Sequence, residues 1–135
     1  MDIFQAFDNA FGGHDFQIDN EMYQTRENLI QGQDIYKNGK LVASTKPNMF
    51  GGVDMFNSQN EVIVSTHENV MGGQGILSGN GESLGFTTQD AMGTTFHDHS
   101  GALSMHLEQG NASTILNYQD PLAHVDSYVL PTLIL

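Results

Sequence analysis

Apolar and polar residues alternate along four stretches of this chain, and the four stretches hold equivalent places in a longer repeat. Residues 40–45 (KLVAST), 61–66 (EVIVST), 82–87 (ESLGFT) and 102–107 (ALSMHL) carry the alternation. Leu41 with Ala43, Val62 with Val64, Leu84 with Phe86 and Leu103 with Met105 are each expected to share one buried face of a strand, because successive strand side chains point to opposite faces. Before each stretch comes a segment that opens on Asn, continues with apolar residues and then reaches Gly. The copies are NAFGGHDFQ from Asn9, NLIQGQDIYKNG from Asn28, NMFGGVDMFNSQN from Asn48 and NVMGGQGILSGNG from Asn69. Two weaker copies follow, DAMGTTFHDHSG from Asp90 and NASTILNYQ from Asn111. The starts lie 19, 20, 21, 21 and 21 residues apart, and Thr25, Thr45 and Thr66 each stand three residues before the next Asn. One unit therefore reads as strand, turn, strand, turn, and the fold class is all-β.

The turn chemistry supports that division. Asn38-Gly39, Asn80-Gly81 and Ser100-Gly101 supply the positive φ of a tight reversal. The pairs Gly12-Gly13, Gly51-Gly52 and Gly72-Gly73 are expected inside the first strand of each unit, at a bend or a close backbone approach. Two architectures fit. In a β-solenoid each unit is one coil, and the Asn residues would stack into a hydrogen-bonded ladder about 4.8 Å per step. In a hairpin meander the Asn-Gly turns join antiparallel strands. The recurrent Asn favours the solenoid, which is the expected form, with the antiparallel meander as the alternative.

Residues 1–135 read as one repeat domain. Residues 1–8 form a partial unit, 9–120 about six repeats, and 121–135 an apolar cap or docking tail that ends YVLPTLIL.

Charge narrows the partners. The net charge is −12, and the four basic residues, Arg26, Lys37, Lys40 and Lys46, all lie in the first third. Such a surface repels phosphate, so nucleic acid and anionic membrane are not expected partners. Cysteine is absent, which removes disulfides and thiolate chemistry together. The N-terminal MDIFQAFDNAF lacks a basic region and a continuous apolar run, so the expected location is cytoplasmic, with an extracellular or virion-associated place reached by a non-classical route as the other option.

The units resemble the tandem Asn-x-Phe-Gly-Gly-x-Asp-x-Tyr repeats of uncharacterised bacterial and phage-associated proteins, over about residues 9–107. That resemblance implies a β-repeat fold and brings no activity with it. A second likeness, of Gly72-Gly73-Gln74-Gly75 to calcium-binding β-roll nonapeptides, fails because Ile76 stands where a carboxylate is needed.

Candidate chemistry is sparse. No nucleophile elbow, zincin helix, phosphate loop or dinucleotide fingerprint is present, so no catalytic residue is expected and the chain reads as a non-enzyme with no cofactor. His97, His99 and His106 are the candidate ligands of a divalent metal: Thr95 would face His106 across a two-residue turn, gathering three imidazoles on one patch. Asp15, Asp34 and Asp54 would form a column of like charges.

Two apolar columns complete the pattern. Tyr36, Phe56 and Leu77 form one; Phe11, Ile30, Phe50, Met71 and Met92 form the other. If both face inward they are the core of a two-layer solenoid, and if one faces outward it is a continuous apolar stripe. Tyr36, Phe56, Phe50 and Met71 are accordingly the candidate binding or assembly surface. The expected function is a structural, self-assembling repeat protein forming homo-oligomers or filaments. The alternatives are a carbohydrate- or protein-binding module and a metal-binding protein.

Overall fold

A computed structural model describes residues 3–18, 20–70, 72–91, 93–100, 103–108, 113–116 and 128–134 of the chain. They form twelve strands and one helix. The strands are β1 Ile3–Asp8, β2 His14–Ile18, β3 Glu21–Glu27, β4 Gln33–Lys37, β5 Lys40–Pro47 and β6 Val53–Asn57. They continue as β7 Val62–Glu68, β8 Gln74–Ser78, β9 Ser83–Asp90, β10 Gly93–Asp98, β11 Leu103–Glu108 and β12 Ser113–Leu116, and the helix is α1 Val129–Ile134. Every strand pairs antiparallel with its neighbours in sequence. β1 also pairs with β12, Ile3 opposite Leu116 and Ala6 opposite Ser113, so the meander returns on itself as a closed barrel.

The hairpin meander is therefore the architecture, and the expected solenoid is not. The reason lies in what each recurrent Asn does. Asn48 Oδ1 accepts the N–H groups of Phe50 and Gly52 at 2.9 and 3.2 Å. Its Nδ2 donates to Asp54 Oδ1 at 3.1 Å and to the Thr66 carbonyl at 2.8 Å. Those four bonds use the full capacity of a carboxamide, so nothing remains for a ladder to the next Asn. Asn9 and Asn28 make the same four bonds in their own units.

Threonine and glycine complete each knot. Thr66 Oγ1 accepts the Val53 N–H at 2.9 Å. The glycine pairs lie in the loops ahead of β2, β6 and β8 rather than inside the strands. The close backbone approach expected of them is real: a Cβ on Gly52 would sit 2.2 Å from the Thr66 carbonyl oxygen. Replacing Asn48 by Ala strips two N–H groups and one carbonyl of their partner. The expected loss is about 2 kcal/mol, since an unmet buried polar group costs on the order of 1–3 kcal/mol. Urea unfolding of Asn48→Ala measures it, and a loss under about 0.5 kcal/mol would mean that solvent substitutes for the amide.

The inward face holds the core. Ile35, Met55, Val64, Ile76, Phe96 and Leu107 are fully buried, and Ala6, Phe16, Tyr23 and Ala43 join them. Eight strands already make a barrel whose interior side chains can just fill, so twelve leave a lumen. Residues of α1 and the turn before it occupy that space: Tyr128, Val129 and Leu130 belong to the same core cluster, and the Tyr128 ring lies 5.6 Å from that of Tyr23. Pro131 sits in the first turn of α1, where its missing N–H breaks no helical bond.

One part of the alternation came out shifted. Leu41 and Val62 are 47% and 40% exposed, although they were expected to share the buried face of Ala43 and Val64. The pairing slips between Ile35 and Tyr36 and again between Met55 and Phe56. Each slip inserts an extra residue and reverses the side-chain parity beyond it. Val42 and Ile63 pack against the core instead, while Leu84 packs against it as expected. Among the described residues, no helix is long and apolar enough to cross a membrane.

Candidate functional site

A meander places alternate loops at opposite ends of the barrel. The Asn-Gly knots all join an odd strand to the next even one, so they share one end. Their tips are apolar and outward. Leu29 and Val70 are 103% exposed and Met49 93%, with Phe50 at 69%, Ile30 at 57% and Phe11 at 51%. The loop residues 10–13, 29–32, 49–52 and 70–73 carry no charge. The result is an apolar crown whose own loops are uncharged, with the Glu27 and Glu68 side chains set against it at Gly12 and Gly51.

The first expected apolar column thus faces outward. Phe11, Ile30 and Phe50 stand on the crown; Met71 and Met92 fall outside the described residues. These tips stay exposed because the Asn knot fixes the loop backbone, leaving the intervening side chains nowhere to fold.

The second column faces outward too. Tyr36, Phe56 and Leu77 are half-buried on the outer wall of β4, β6 and β8, one residue past the core positions Ile35, Met55 and Ile76. Each has a cross-strand companion that follows the threonine of the knot. Gln24 and Arg26 flank Thr25, and the Arg26 guanidinium lies 4.4 Å from the Phe11 centroid and 4.7 Å from that of Tyr36. In the next unit the Lys46 ammonium lies 5.0 Å from the Phe56 centroid. In the fourth, Thr88 Oγ1 and His97 Nε2 are 3.2 Å apart.

The third unit differs. Its companion is His67, whose ring packs over Gly75 so closely that a Cβ there would lie 2.4 Å from His67 Cε1. A groove of about 380 Å³ opens beside it, lined by Phe50, Leu77, Asp54, Glu68, His67 and Asn48 among others. Sequence reasoning missed this series. The available signal was the residue after each column threonine: Arg26, Lys46, His67, Thr88.

The histidines are placed as follows. Thr95 faces His106 as expected, and Thr95 Oγ1 lies 2.8 Å from His106 Nδ1. His97 stacks on Phe86 with centroids 4.9 Å apart. His99 is exposed in the turn after β10. His97 and His106 thus each address a different threonine. Among the described residues, no three His, Cys, Asp or Glu side chains are grouped to hold a metal ion.

Asp15, Asp34 and Asp54 lie on β2, β4 and β6. Each is separated from the next by an intervening strand, or roughly 10 Å at the usual strand spacing. The tight like-charge column is replaced by three separate carboxylates, each accepting from its own Asn.

No protein-family model and no curated protein matches the chain. Its fold is similar to that in an X-ray structure of a protein from Arabidopsis thaliana, with a TM-score of 0.67, covering 96% of this chain and 88% of that one. The two sequences are 11% identical, so the likeness is one of fold alone.

Proposed function

We propose that this protein is a non-catalytic assembly module whose apolar crown packs against the crown of a second copy. The supporting observation is the set of exposed apolar tips at one end of the barrel. Bulky apolar residues exposed singly are ordinary; six of them gathered on rigid loops mark an association surface. Burying one such side chain contributes about 1.5–3 kcal/mol. Six on each partner outweigh an association cost of roughly 4–15 kcal/mol.

Charge sets the form of the contact. The chain carries −12 overall, so two copies repel at long range, while the crown loops themselves are uncharged. Assembly through the crown is therefore expected to strengthen with added salt, as screening removes the repulsion and leaves the apolar contact. The outer-wall aromatics support a sugar-stacking role less well, because the Tyr36 and Phe56 rings already carry Arg26 and Lys46.

The test is sedimentation velocity across a concentration series, in low and high salt, on the parent and on a Leu29→Ser/Met49→Ser/Val70→Ser variant. The parent is expected to grow in size with concentration and with salt, and the variant to stay monomeric with an unchanged melting temperature. A parent that remains monomeric throughout removes the assembly reading.

A further inference from the structure

We infer that the groove beside His67 is a docking site for a basic side chain, arginine foremost, presented by a partner protein. The groove shares Phe50 with the crown, so its occupant and a second copy would compete for that ring.

The barrel repeats one outer-wall device along its units, and two of its copies already hold a cation. In the first, Arg26 lies between Phe11 on the crown and Tyr36 on the wall. In the second, Lys46 covers Phe56. The same positions in the third unit are Phe50 on the crown, Leu77 on the wall and His67 between them in sequence. Backbone registers confirm the equivalence: Arg26 faces Asp34, Lys46 faces Asp54 and His67 faces Gly75.

Gly75 is what opens the slot. It removes the side chain that would stand opposite residue 67, and the imidazole lies down over its bare Cα. A flat ring in that position does not reach between Phe50 and Leu77 as the longer arms of Arg26 and Lys46 reach their own rings. The space left, about 380 Å³, accommodates one long side chain.

The lining states the chemistry of the occupant. Phe50 offers an aromatic face, on which a guanidinium or ammonium within about 6 Å is attracted by the ring quadrupole. Leu77 supplies an apolar wall for an aliphatic stem. Asp54 and Glu68 add two carboxylates; Lys46, the cross-strand neighbour of Asp54, is turned to the Phe56 ring. An acidic rim over an aromatic floor, in a protein of net charge −12, selects a cation and rejects an anion. Arginine leads because its planar fork matches a carboxylate and stacks on a ring at once. A second copy is a poor source of arginine, since its one arginine, Arg26, is held by two rings and by Gln24 at 2.6 Å.

The experiment uses the full chain and a capped Gly-Arg-Gly peptide, followed by amide chemical shifts in two-dimensional NMR. The control is the same peptide with citrulline, which keeps the shape of arginine and loses the charge. The arginine peptide is expected to shift the amides around Phe50, Asp54, His67 and Leu77 in a saturable way, with the citrulline peptide about tenfold weaker. His67→Arg supplies the cation from within, as the first unit does, and is expected to weaken peptide binding about tenfold at unchanged sedimentation. Asp54→Asn keeps an oxygen for Asn48 and provides a second variant, expected to lose several-fold in affinity. Equal binding of the arginine and citrulline peptides, or full binding by a folded His67→Arg protein, overturns the proposal. Repeating the titration on the Leu29→Ser/Met49→Ser/Val70→Ser protein keeps the two readings apart, because that variant retains Phe50 and the groove while crown assembly is removed.

Discussion

Gly52→Ala is expected to destabilise the barrel by about 4 kcal/mol, whereas Gly39→Ala, at a turn of the other end, costs only about 1 kcal/mol. The two glycines differ in kind. Gly39 has φ +85 and nothing within 4 Å of a new Cβ, so an alanine there meets backbone strain alone. At Gly52 the Cβ would lie 2.2 Å from the Thr66 carbonyl oxygen and 2.4 Å from its Oγ1. Those atoms are backbone and a buried side chain, so neither can swing away. Relief requires parting β6 from β7, which breaks the Asn48–Thr66 and Val53–Thr66 bonds at once. Gly13, Gly32 and Gly73 face equivalent threonines, with Cβ positions 2.1, 1.9 and 2.0 Å from the carbonyl oxygens, and predict the same loss. Equilibrium urea denaturation of the pair decides the matter. Equal losses at positions 39 and 52 would show that strand separation there is cheap, and the knot would cease to explain the repeat.

Ending the chain after residue 127 is expected to abolish cooperative unfolding altogether. Tyr128, Val129, Leu130 and Pro131 are all buried within the ring of strands. Losing them removes on the order of 10 kcal/mol of apolar burial and cavity filling, which is comparable with the whole stability of a domain this size. The single change Leu130→Ala is milder, about 3 kcal/mol, because part of the space can relax. Near-ultraviolet circular dichroism and a thermal scan report both. A shortened chain that still melts sharply, at close to the parent temperature, would mean that the strands fill their own interior.

The sequence carried much of this in plain sight. Asn, Gly and Thr recur because they are three parts of one knot, and their spacing located the hairpins to within a residue or two. Thr95 faces His106 as expected, although the pairing slips by one residue between Phe96 and His97 on the way to the turn. What spacing could not decide was whether the Asn amide bonds its neighbour in the next unit or its own loop; both give the same recurrence. The bulges were equally hidden. They move Val42 and Ile63 to the core side and expel Leu41 and Val62, yet all four are apolar, so the pattern reads the same either way. Tyr36, Phe56 and Leu77 followed suit: each adjoins a core residue of similar hydrophobicity, and only the pleat distinguishes the two. The groove by His67 was illegible for another reason, since it arises from what the third unit lacks relative to the first two.

Closure of the ring has a consequence for how the chain is made. β1 finds one of its two partners in β12, and α1 follows later still, so the ribosome delivers the seam and the filling after every other strand. Until then the nascent sheet has two bare edges and an open apolar concavity. Pairing across more than a hundred residues is also slow, because loop closure must precede its reward. The crown is nearly local, each loop being complete once the strand after its hairpin has joined, as Asn48 needs the Thr66 carbonyl of β7, so it forms before the seam can close. Maturation therefore runs from the rim inward, and the half-made barrel is the species that a chaperone would meet.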